Sequence, residues 1–361
     1  MNIIPDKNII IDNKKIGLDQ PTYFIADIAA NHDGDLSRAI DLINLAAEAG
    51  ADAAKFQHFK AETIVSDAGF KNLGSKFSHQ GKWKKSVFEV YKSASVNSDW
   101  TPFLKEACDK AGITFFTSPY DIDIVDSIDK FVPAYKVGSG DITWTEIIKH
   151  IAKKNKPYII ASGASSLDDV KRAVNESIGI NSQIALLQCN TNYTASLENF
   201  KYIQLNVLET YKKHFPGMVL GLSDHTPGHS TVLGAVSLGA RIIEKHFTDD
   251  VRREGPDHAF SMDPLSWKEM VNRTRELEFS LGNGLKKVEE NELETVILQR
   301  RSIRLKKDMN SGTPIKKEDL IVLRPCPIDS IKPYEIDRVV GKKLKKSLKA
   351  GHHITWNDLS I

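Results

Sequence analysis

Short apolar runs alternate with longer amphipathic stretches along most of the chain. Eight of these runs are four to eight residues long and rich in Ile, Val, Phe, Tyr or Ala. Apolar runs of this length are typical of parallel strands that are buried on both faces. The pattern predicts eight strands, at Tyr23–Ala30, Ala53–Phe59, Ile113–Ser118, Ala134–Gly138, Pro157–Ser162, Ile184–Cys189, Val219–Ser223 and Arg241–Phe247.

Helical periodicity fills the intervals between the runs. Ser37–Ala49 begins at a residue suited to an N-cap and ends before Gly50, and Asp99–Ala111 ends before Gly112. Glycine is common directly after a helix. Four more helices are predicted at Leu167–Ile178, Leu197–His214, Ser230–Leu238 and Ser266–Ser280. Eight strand–helix units predict an α/β protein with a (β/α)₈ TIM barrel, whereas a doubly wound open sheet, the alternative, does not require this number of units.

The composition divides the chain into three parts. Residues 1–284 hold the barrel units, with a hairpin predicted at Asn8–Gly17 to close the bottom of the barrel. The charged stretch Leu285–Arg301 predicts a linker helix. Residues 302–361 predict a small, mostly β domain with an internal repeat, although chance matching is the alternative. Four residues recur 39 positions later: Gly312, Ile315, Asp319 and Leu320 return as Gly351, Ile354, Asp358 and Leu359.

The charge balance narrows the classes of partner. Lys and Arg number 49 and Asp and Glu 47, so the formal net charge is only +2. A dedicated nucleic-acid binder usually has a basic excess, and the lysine run Lys342–Lys349 is interpreted as a solvated face.

The apolar stretches fall short of the roughly 20 residues of a membrane helix, and the N-terminus has no signal-peptide pattern. The three scattered cysteines suit a reducing cytoplasm. We therefore expect a cytoplasmic protein with no nucleic-acid or membrane partner.

Polar and ionisable residues follow nearly every predicted strand. In barrel enzymes the active site gathers at the C-terminal ends of the strands. Burying one such side chain without a partner costs about 1–3 kcal/mol or more, and burying several costs several kcal/mol. The accumulation of these residues at the strand ends therefore indicates a functional site. The candidates are Asp27, Lys55, Gln57, Ser118, Lys136, Ser139, Asp141, Ser162, Tyr193, Ser223, His225 and His246, with Asp257 in the loop after the eighth strand.

The candidates separate by chemistry. Lys55 and Lys136, with the serines, form a potential site for phosphate or carboxylate, although a single lysine is more often a snorkelling surface residue. His225 and His246 end neighbouring strands and suit two ligands of one divalent metal. A lone histidine there is more often a hydrogen-bonded core residue. The carboxylates available for proton transfer are Asp27, Asp141 and Asp257.

Six separated motifs, in order, resemble those of the sialic acid synthase family, whose members make nine-carbon 3-deoxy-2-keto sugar acids. The resemblance covers nearly the whole chain, and the tail with its Leu323-Arg324-Pro325 element resembles the antifreeze-like (SAF) domain of this family. The matching stretches are Ala26–Gly34, Ala54–Gln57, Tyr135–Gly140, Gly221–Thr226, Glu244–Asp249 and Gly255–Asp257.

This resemblance implies condensation of phosphoenolpyruvate with an N-acetylated amino sugar, either N-acetylmannosamine or a 6-deoxy-diacetamido hexose. It implies that Lys55, Lys136 and Ser139 hold phosphoenolpyruvate. It also implies a divalent metal on His225 and His246, Mn²⁺ first and Mg²⁺ or Co²⁺ as alternatives. By the same resemblance, Arg324 contacts the sugar N-acyl group from the tail of a second subunit, in a domain-swapped homodimer, and the three aspartates stand near the sugar or the attacking water.

Some residues depart from the family pattern, and other functions remain open. Family members usually have glutamate at positions 27 and 141, serine at 161, and asparagine at 191, where this chain has Asp27, Asp141, Ala161 and Thr191. One alternative is a metal-dependent phosphoenolpyruvate aldol synthase acting on a phosphorylated sugar, for which Arg252 and Arg253 form a basic pair. Others are an aldolase that forms a Schiff base on a lysine, and an ice- or sugar-binding module on an inert barrel.

Overall fold

The computed structural model describes residues 4–73, 83 and 85–360. The chain divides into two compact units, Met1–Gly282 and Asn283–Ile361. In the described part of the chain, no helix is both long and apolar enough to cross a membrane.

The first unit is built around eight parallel strands. Their order in the sheet is β5-β4-β3-β10-β9-β8-β7-β6, and the two edge strands β5 and β6 lie side by side. The (β/α)₈ barrel prediction is thus confirmed, and the open doubly wound sheet is excluded. The strands are β3 Tyr23–Asp27, β4 Ala53–His58, β5 Thr114–Pro119, β6 Tyr135–Val137, β7 Tyr158–Ala161, β8 Ile184–Cys189, β9 Val219–Asp224 and β10 Ile242–His246.

A short hairpin closes the bottom of the barrel, as predicted. Its strands β1 (Asn8–Ile11) and β2 (Lys14–Gly17) pair antiparallel. Ile9, Ile11 and Ile16 are buried in one cluster with apolar side chains from the lower parts of the barrel strands. This lower layer leaves the upper part of the lumen to polar side chains.

Most helices of the first unit pack around the sheet. They are α1 Leu36–Glu48, α2 Ala61–Ile64, α3 Asp67–Leu73, α4 Val87–Ala94, α5 Thr101–Ala111, α6 Ile122–Ile128, α7 Thr145–Ala152, α8 Leu167–Ser177, α9 Val207–His214, α10 Ser230–Ser237 and α11 Pro264–Leu281. Two details of the prediction were wrong. The N-cap of α1 is Asp35, whose carboxylate accepts the Ser37 and Arg38 amides. The helix predicted at Leu197–His214 is interrupted, because Gln204 has a left-handed φ of 53° between a 3₁₀ helix and α9.

The second unit confirms the internal repeat. It contains α12 (Leu293–Gln299), β11 (Ser302–Leu305), β12 (Leu320–Leu323) and α13 (Ile336–Val339), and α12 is shorter than the predicted linker helix. The two copies of the repeat make the same contacts. Lys306 N donates to Asp319 O at 2.8 Å, and Lys345 N donates to Asp358 O at 2.8 Å. In each copy the aspartate accepts backbone bonds in a capping box, so the repeat is structural and not a chance match.

Candidate active site

Alternation along the strands decides which side chains enter the barrel. Successive residues of a strand point to opposite faces, and the inward set begins in the apolar layer above the hairpin. Two or four residues further along, polar side chains of seven of the strands occupy the upper lumen. They are Asp27 on β3, Lys55 on β4, Ser118 on β5, Lys136 on β6, Cys189 on β8, Ser223 on β9, and Glu244 and His246 on β10.

Four of these side chains form a buried cluster of opposite charges. Lys55 Nζ lies 2.6 Å from Asp27 Oδ2 and 3.6 Å from Glu244 Oε1. Lys136 Nζ lies 3.1 Å from the same Glu244 oxygen. All four side chains are at most 5% exposed, so their charges are compensated by one another and not by water.

In this cluster, each charged side chain stabilises the ionised form of its partner. Burial alone raises the pKa of Asp27, but Lys55 and His246 outweigh it and hold the pKa below its ordinary value. Burial lowers the pKa of Lys55, yet Asp27 and Glu244 raise it overall. Removing one partner of such a buried pair costs about 3–5 kcal/mol because the other charge is left uncompensated.

Neutral hydrogen-bonding groups surround the charged cluster. Gln57 Nε2 donates to Asp27 Oδ2 at 3.1 Å. The Ser118 hydroxyl lies 3.5 Å from Lys55 Nζ, and the Ser223 hydroxyl lies 3.5 Å from Glu244 Oε1. The second carboxylate oxygen of Glu244 is buried and, among the described residues, has no hydrogen-bond partner. Hydrogen-bonding capacity is therefore left over at the floor of the site.

A cavity of about 430 Å³ opens above this floor. Six of the predicted site residues line it: Gln57, Ser139, Asp141, Tyr193, His246 and Asp257. The segment between β4 and α5 supplies an apolar wall, formed by Phe59, Ile64, Val90, Tyr91 and Ala94. The cavity thus has a charged floor and a side that suits apolar groups.

Two imidazoles stand together beside the cavity. The rings of His225 and His246 are 5.4 Å apart, and Tyr193 and Phe260 pack against both. His225 Nδ1 bonds the Asn190 carbonyl at 3.0 Å. His246 Nδ1 is buried without a hydrogen-bond partner among the described residues, and burial lowers the pKa of this ring to about 3. A neutral imidazole with an open nitrogen is the form that binds a metal ion.

These residues fit a divalent ion only as part of its ligand set. In the residues that the structure describes, no three His, Cys, Asp or Glu side chains converge to hold an ion. Two histidines would therefore need substrate oxygens or water to complete the coordination. Cys189 is a further neighbour of His225: burial raises the pKa of the thiol, but the hydrogen bond and charge of His225 outweigh it, so that the pKa is lowered.

Two of the predicted catalytic aspartates face the cavity directly. Asp141 ends the 3₁₀ turn Ser139–Asp141 after β6, and burial raises the pKa of its carboxyl to about 6. Asp257 Oδ2 accepts the Ala30 amide at 3.1 Å and lies 3.9 Å from His246 Nδ1. Burial raises the pKa of Asp257 to about 6 as well. Both groups are therefore suited to exchanging protons near neutral pH.

Ser162 lies apart from the group that the other candidates of the first unit form. The Ser162 hydroxyl donates to the Leu187 carbonyl at 2.9 Å and accepts from Tyr211 of α9 at 2.8 Å. It therefore faces the helical layer, and Ala161 takes the lumen position on β7. Arg324 belongs to the second unit, is exposed, and donates to the Gln299 carbonyl at 2.6 Å.

Sequence reasoning missed two lumen residues. Glu244 joins both lysines, and Cys189 contacts the metal-ligand candidate His225. Strict application of the two-residue period would have found both, because Glu244 precedes His246 by two positions and Cys189 follows the inward Leu187 by two. The same rule would have preferred Ala161 to Ser162.

Comparisons with known proteins agree with the motif pattern. The NeuB family profile matches residues 42–286, and the SAF domain profile matches residues 300–360. N,N'-diacetyllegionaminic acid synthases of Legionella pneumophila and Campylobacter jejuni are 36% and 32% identical. The alignments cover 96% and 91% of this chain, and 97% of each relative.

The chain belongs to the NeuB family.

A solved structure supports the same conclusion for the fold. The N-acetylneuraminic acid synthetase of Leptospira borgpetersenii, determined with citrate, is 28% identical with a TM-score of 0.69. The match covers 81% of this chain and 96% of that one. The resemblance inferred from the six motifs and the SAF tail is thus confirmed. The motifs lead us to expect four departures from the family pattern, and all four residues line the lumen or the cavity: Asp27, Asp141, Ala161 and Thr191.

The raised pKa of Asp141 predicts a dependence of stability on pH. A carboxyl whose pKa rises on folding stabilises the protein fully at low pH, and this contribution is lost as pH rises from about 4 through about 6. Asp141→Asn removes that loss. The free energy of unfolding of the variant, minus that of the parent, should increase by about 2 kcal/mol between pH 4 and pH 7, measured by urea denaturation.

The control for this measurement is Asp169→Asn. The hydroxyl and the backbone of Ser166 hold the pKa of Asp169 below its ordinary value, so its difference curve should be flat over the upper part of the same range, between about pH 5 and pH 7. A flat curve for Asp141→Asn over pH 4 to 7 would contradict the expectation.

Proposed function

We propose that this protein condenses phosphoenolpyruvate with an N-acetylated amino sugar, giving a nine-carbon 3-deoxy-2-keto sugar acid and phosphate. The observation that carries the proposal is the pair of buried lysines, Lys55 and Lys136, inside the barrel. Lys55 shares the Asp27 carboxylate with Gln57, which lines the cavity. Buried lysines next to spare hydroxyls suit a small, highly charged anion. The function of the named relatives is the same class of synthesis.

In this reaction, the floor would bind phosphoenolpyruvate. Lys55 and Lys136 would donate hydrogen bonds to its phosphate and carboxylate, and Ser118, Ser139 and Ser223 would donate further directional bonds. Carbon 3 of phosphoenolpyruvate attacks the aldehyde carbon of the open-chain sugar, and positive charge develops at carbon 2. Water then adds at carbon 2, and phosphate leaves by cleavage of the C–O bond. The lysines would stabilise the released phosphate.

The carboxylates would divide the remaining work. Asp141 and Asp257 line the cavity and would accept a proton from the attacking water or orient the sugar hydroxyls. Asp27 is occupied by Lys55, Gln57 and its own backbone. We therefore propose that Asp27 acts through Lys55, by fixing the position of the ammonium group, and not as the proton carrier.

We propose Mn²⁺ as the metal ion, with Mg²⁺ and Co²⁺ as alternatives, and His225 and His246 as its protein ligands. The open Nδ1 of His246 and the packing of Tyr193 and Phe260 around both rings support this choice. When bound, such an ion supplies Lewis-acid polarisation of a carbonyl oxygen.

The sugar we propose is unphosphorylated and carries apolar substituents, as a 6-deoxy-diacetamido hexose does. The apolar wall of the cavity suits methyl groups of acetamido and 6-deoxy positions. The basic pair expected for a phosphorylated sugar is engaged elsewhere. Arg252 pairs with Asp250 at 2.8 Å, and Arg253 lies 3.2 Å from Asp33 and 3.7 Å from Asp249.

A substrate panel tests this function. We expect phosphate release with phosphoenolpyruvate and 2,4-diacetamido-6-deoxyhexoses, at a kcat/KM at least about tenfold above N-acetylmannosamine, because one well-packed apolar group is worth about 1–3 kcal/mol. With ¹⁸O in the C2–O–P bridge of phosphoenolpyruvate, the label should appear in the released phosphate. Preference for a 6-phosphorylated sugar, or a lysine adduct trapped by borohydride, would support the rival functions instead.

Metal analysis tests the ligand assignment. After loss of His246 only one protein ligand remains, and it cannot hold the ion alone. His246→Ala should therefore reduce both metal content and turnover at least about tenfold. Metal content is measured by elemental analysis of the purified protein. His214→Ala, an exposed histidine on α9, is the control and should leave both unchanged. Stoichiometric metal with the parent rate in His246→Ala would exclude the assignment.

We also propose a cytoplasmic homodimer in which Arg324 reaches the sugar from the SAF tail of the second subunit. The three cysteines are free and buried, which suits a reducing compartment.

Complementation tests the shared site. Arg324→Ala and His225→Ala homodimers should each be nearly inactive, and mixed dimers should regain up to about half of the parent activity, because one intact barrel faces one intact tail. No recovery after demonstrated subunit exchange would mean that Arg324 does not act across subunits.

A further inference from the structure

A ring of polar side chains joins the two loops at one edge of the barrel mouth. Arg38 of α1 holds Asp249 with both terminal nitrogens, at 2.8 and 2.6 Å, and its Nε lies 3.0 Å from Asp33 Oδ2. The other oxygen of Asp33 lies 3.0 Å from His258 Nε2. Thr248 Oγ1 then closes the ring, 2.7 Å from His258 Nδ1 and 3.2 Å from Asp249 Oδ1.

The ring connects segments that are distant in sequence. Asp33 lies in the loop after β3, whereas Thr248, Asp249 and His258 lie in the loop after β10. The Arg38 side chain is only 14% exposed, and His258 is fully buried. Partly buried, two-pronged arginine–carboxylate pairs are stronger and more specific in geometry than exposed ion pairs.

The loop after β3 has a backbone that needs such support. Ala29 and Asp33 have φ of 46° and 52°, in the left-handed region, which costs non-glycine residues of the order of 1 kcal/mol each. Arg38 Nε also donates to the Asn31 carbonyl at 2.8 Å. The Asn31 side chain donates to Phe247 O and Ser261 Oγ, both at 2.9 Å. The loop is therefore held against its neighbour at several points.

Asp257 depends on both loops for its position. It directly precedes His258 of the ring, and its Oδ2 accepts the amide of Ala30, which follows the strained Ala29. Its backbone carbonyl accepts the Ser261 hydroxyl at 2.7 Å, and that hydroxyl also binds Asn31. A shift of either loop would therefore move the carboxylate relative to His246 and the cavity.

We propose that Arg38 is a positioning residue for the reaction: by closing the ring it locks the two loops together and sets the place of the Asp257 carboxylate over the cavity. The inference rests on the proposed function for the role of Asp257. It requires no contact between Arg38 and the substrate.

The experiment compares Arg38→Gln, Arg38→Lys and Arg38→Ala with the parent enzyme. A misplaced catalytic group costs about tenfold to a hundredfold in rate, so kcat should fall by that factor in Arg38→Gln. The KM for phosphoenolpyruvate should stay within about twofold, because Lys55 and Lys136 are not part of the ring. Arg38→Lys should lie between, since lysine keeps the charge but not the two-pronged geometry. Added guanidinium should restore part of the kcat of Arg38→Ala.

Matched variants make the result specific. Arg273→Gln removes an exposed arginine of α11 that pairs with Glu269 and Glu276, and it should keep the parent kcat. Thr248→Val removes the hydroxyl that closes the ring on the side opposite Arg38, and it should lower kcat as Arg38→Gln does. This variant keeps the test valid if the arginine variants do not fold.

The outcomes separate this inference from the proposed function. In one outcome Asp257→Asn is inactive, whereas Arg38→Gln and Thr248→Val turn over at the parent rate and are folded by circular dichroism. The positioning role of Arg38 is then wrong, and the proposed function stands. If Asp257→Asn keeps the parent rate, the role of Asp257 and the inference both fall. A fall in kcat with an unchanged KM for phosphoenolpyruvate, together with partial rescue of Arg38→Ala by added guanidinium, supports the inference.

Discussion

The requirement for charge neutrality inside the barrel governs the rest of the site. Lys55 and Lys136 cannot be buried at the lumen floor unless Asp27 and Glu244 are buried with them, because an uncompensated ion there costs several kcal/mol, about 3–5 for a broken pair. Strands β3, β4, β6 and β10 therefore contribute one electrostatic unit, and none of its members can be interpreted alone. An anion that enters this neutral unit needs positive charge from its surroundings. We propose that an additional cation binds at the neighbouring pair His225 and His246.

The site separates charge from apolar surface along the barrel axis. The floor carries the ionised groups, the middle carries the imidazoles with Tyr193 and Phe260 around them, and the wall from the segment after β4 is apolar. We propose that two substrates of different polarity bind in this space, with the anionic one nearer the charged cluster. Such an arrangement would hold the reacting carbons close to each other, which favours a condensation.

The periodicity of the sequence predicts the barrel, the hairpin and the repeat of the second unit, because each depends on local alternation of apolar and polar residues. It also predicts most of the site, since strand ends converge in any barrel. Ser162 was included and Glu244 omitted, because the prediction used proximity to strand ends and did not apply the inward–outward alternation. Arg38 was missed for a different reason: its partners Asp33 and Asp249 come from loops at opposite ends of the barrel sequence, and no local pattern encodes such pairing. The linker helix was predicted too long because charge and helix propensity alone do not fix where a helix begins.

The aspartate at position 27 changes how the carboxylates share their roles. Asp27 Oδ2 is shared by Lys55 at 2.6 Å and Gln57 at 3.1 Å, and Oδ1 accepts the Ala29 amide at 3.1 Å. A glutamate, which the resemblance to the family leads us to expect at this position, would extend roughly 1.5 Å farther. The shorter Asp27 carboxylate lies 3.6 Å from His246 Nε2 and is engaged by groups of the protein. We therefore propose that proton transfer in this chain falls to Asp141 and Asp257, whose raised pKa values suit that task. Of the two, Asp257 is bonded to the loops that Arg38 joins.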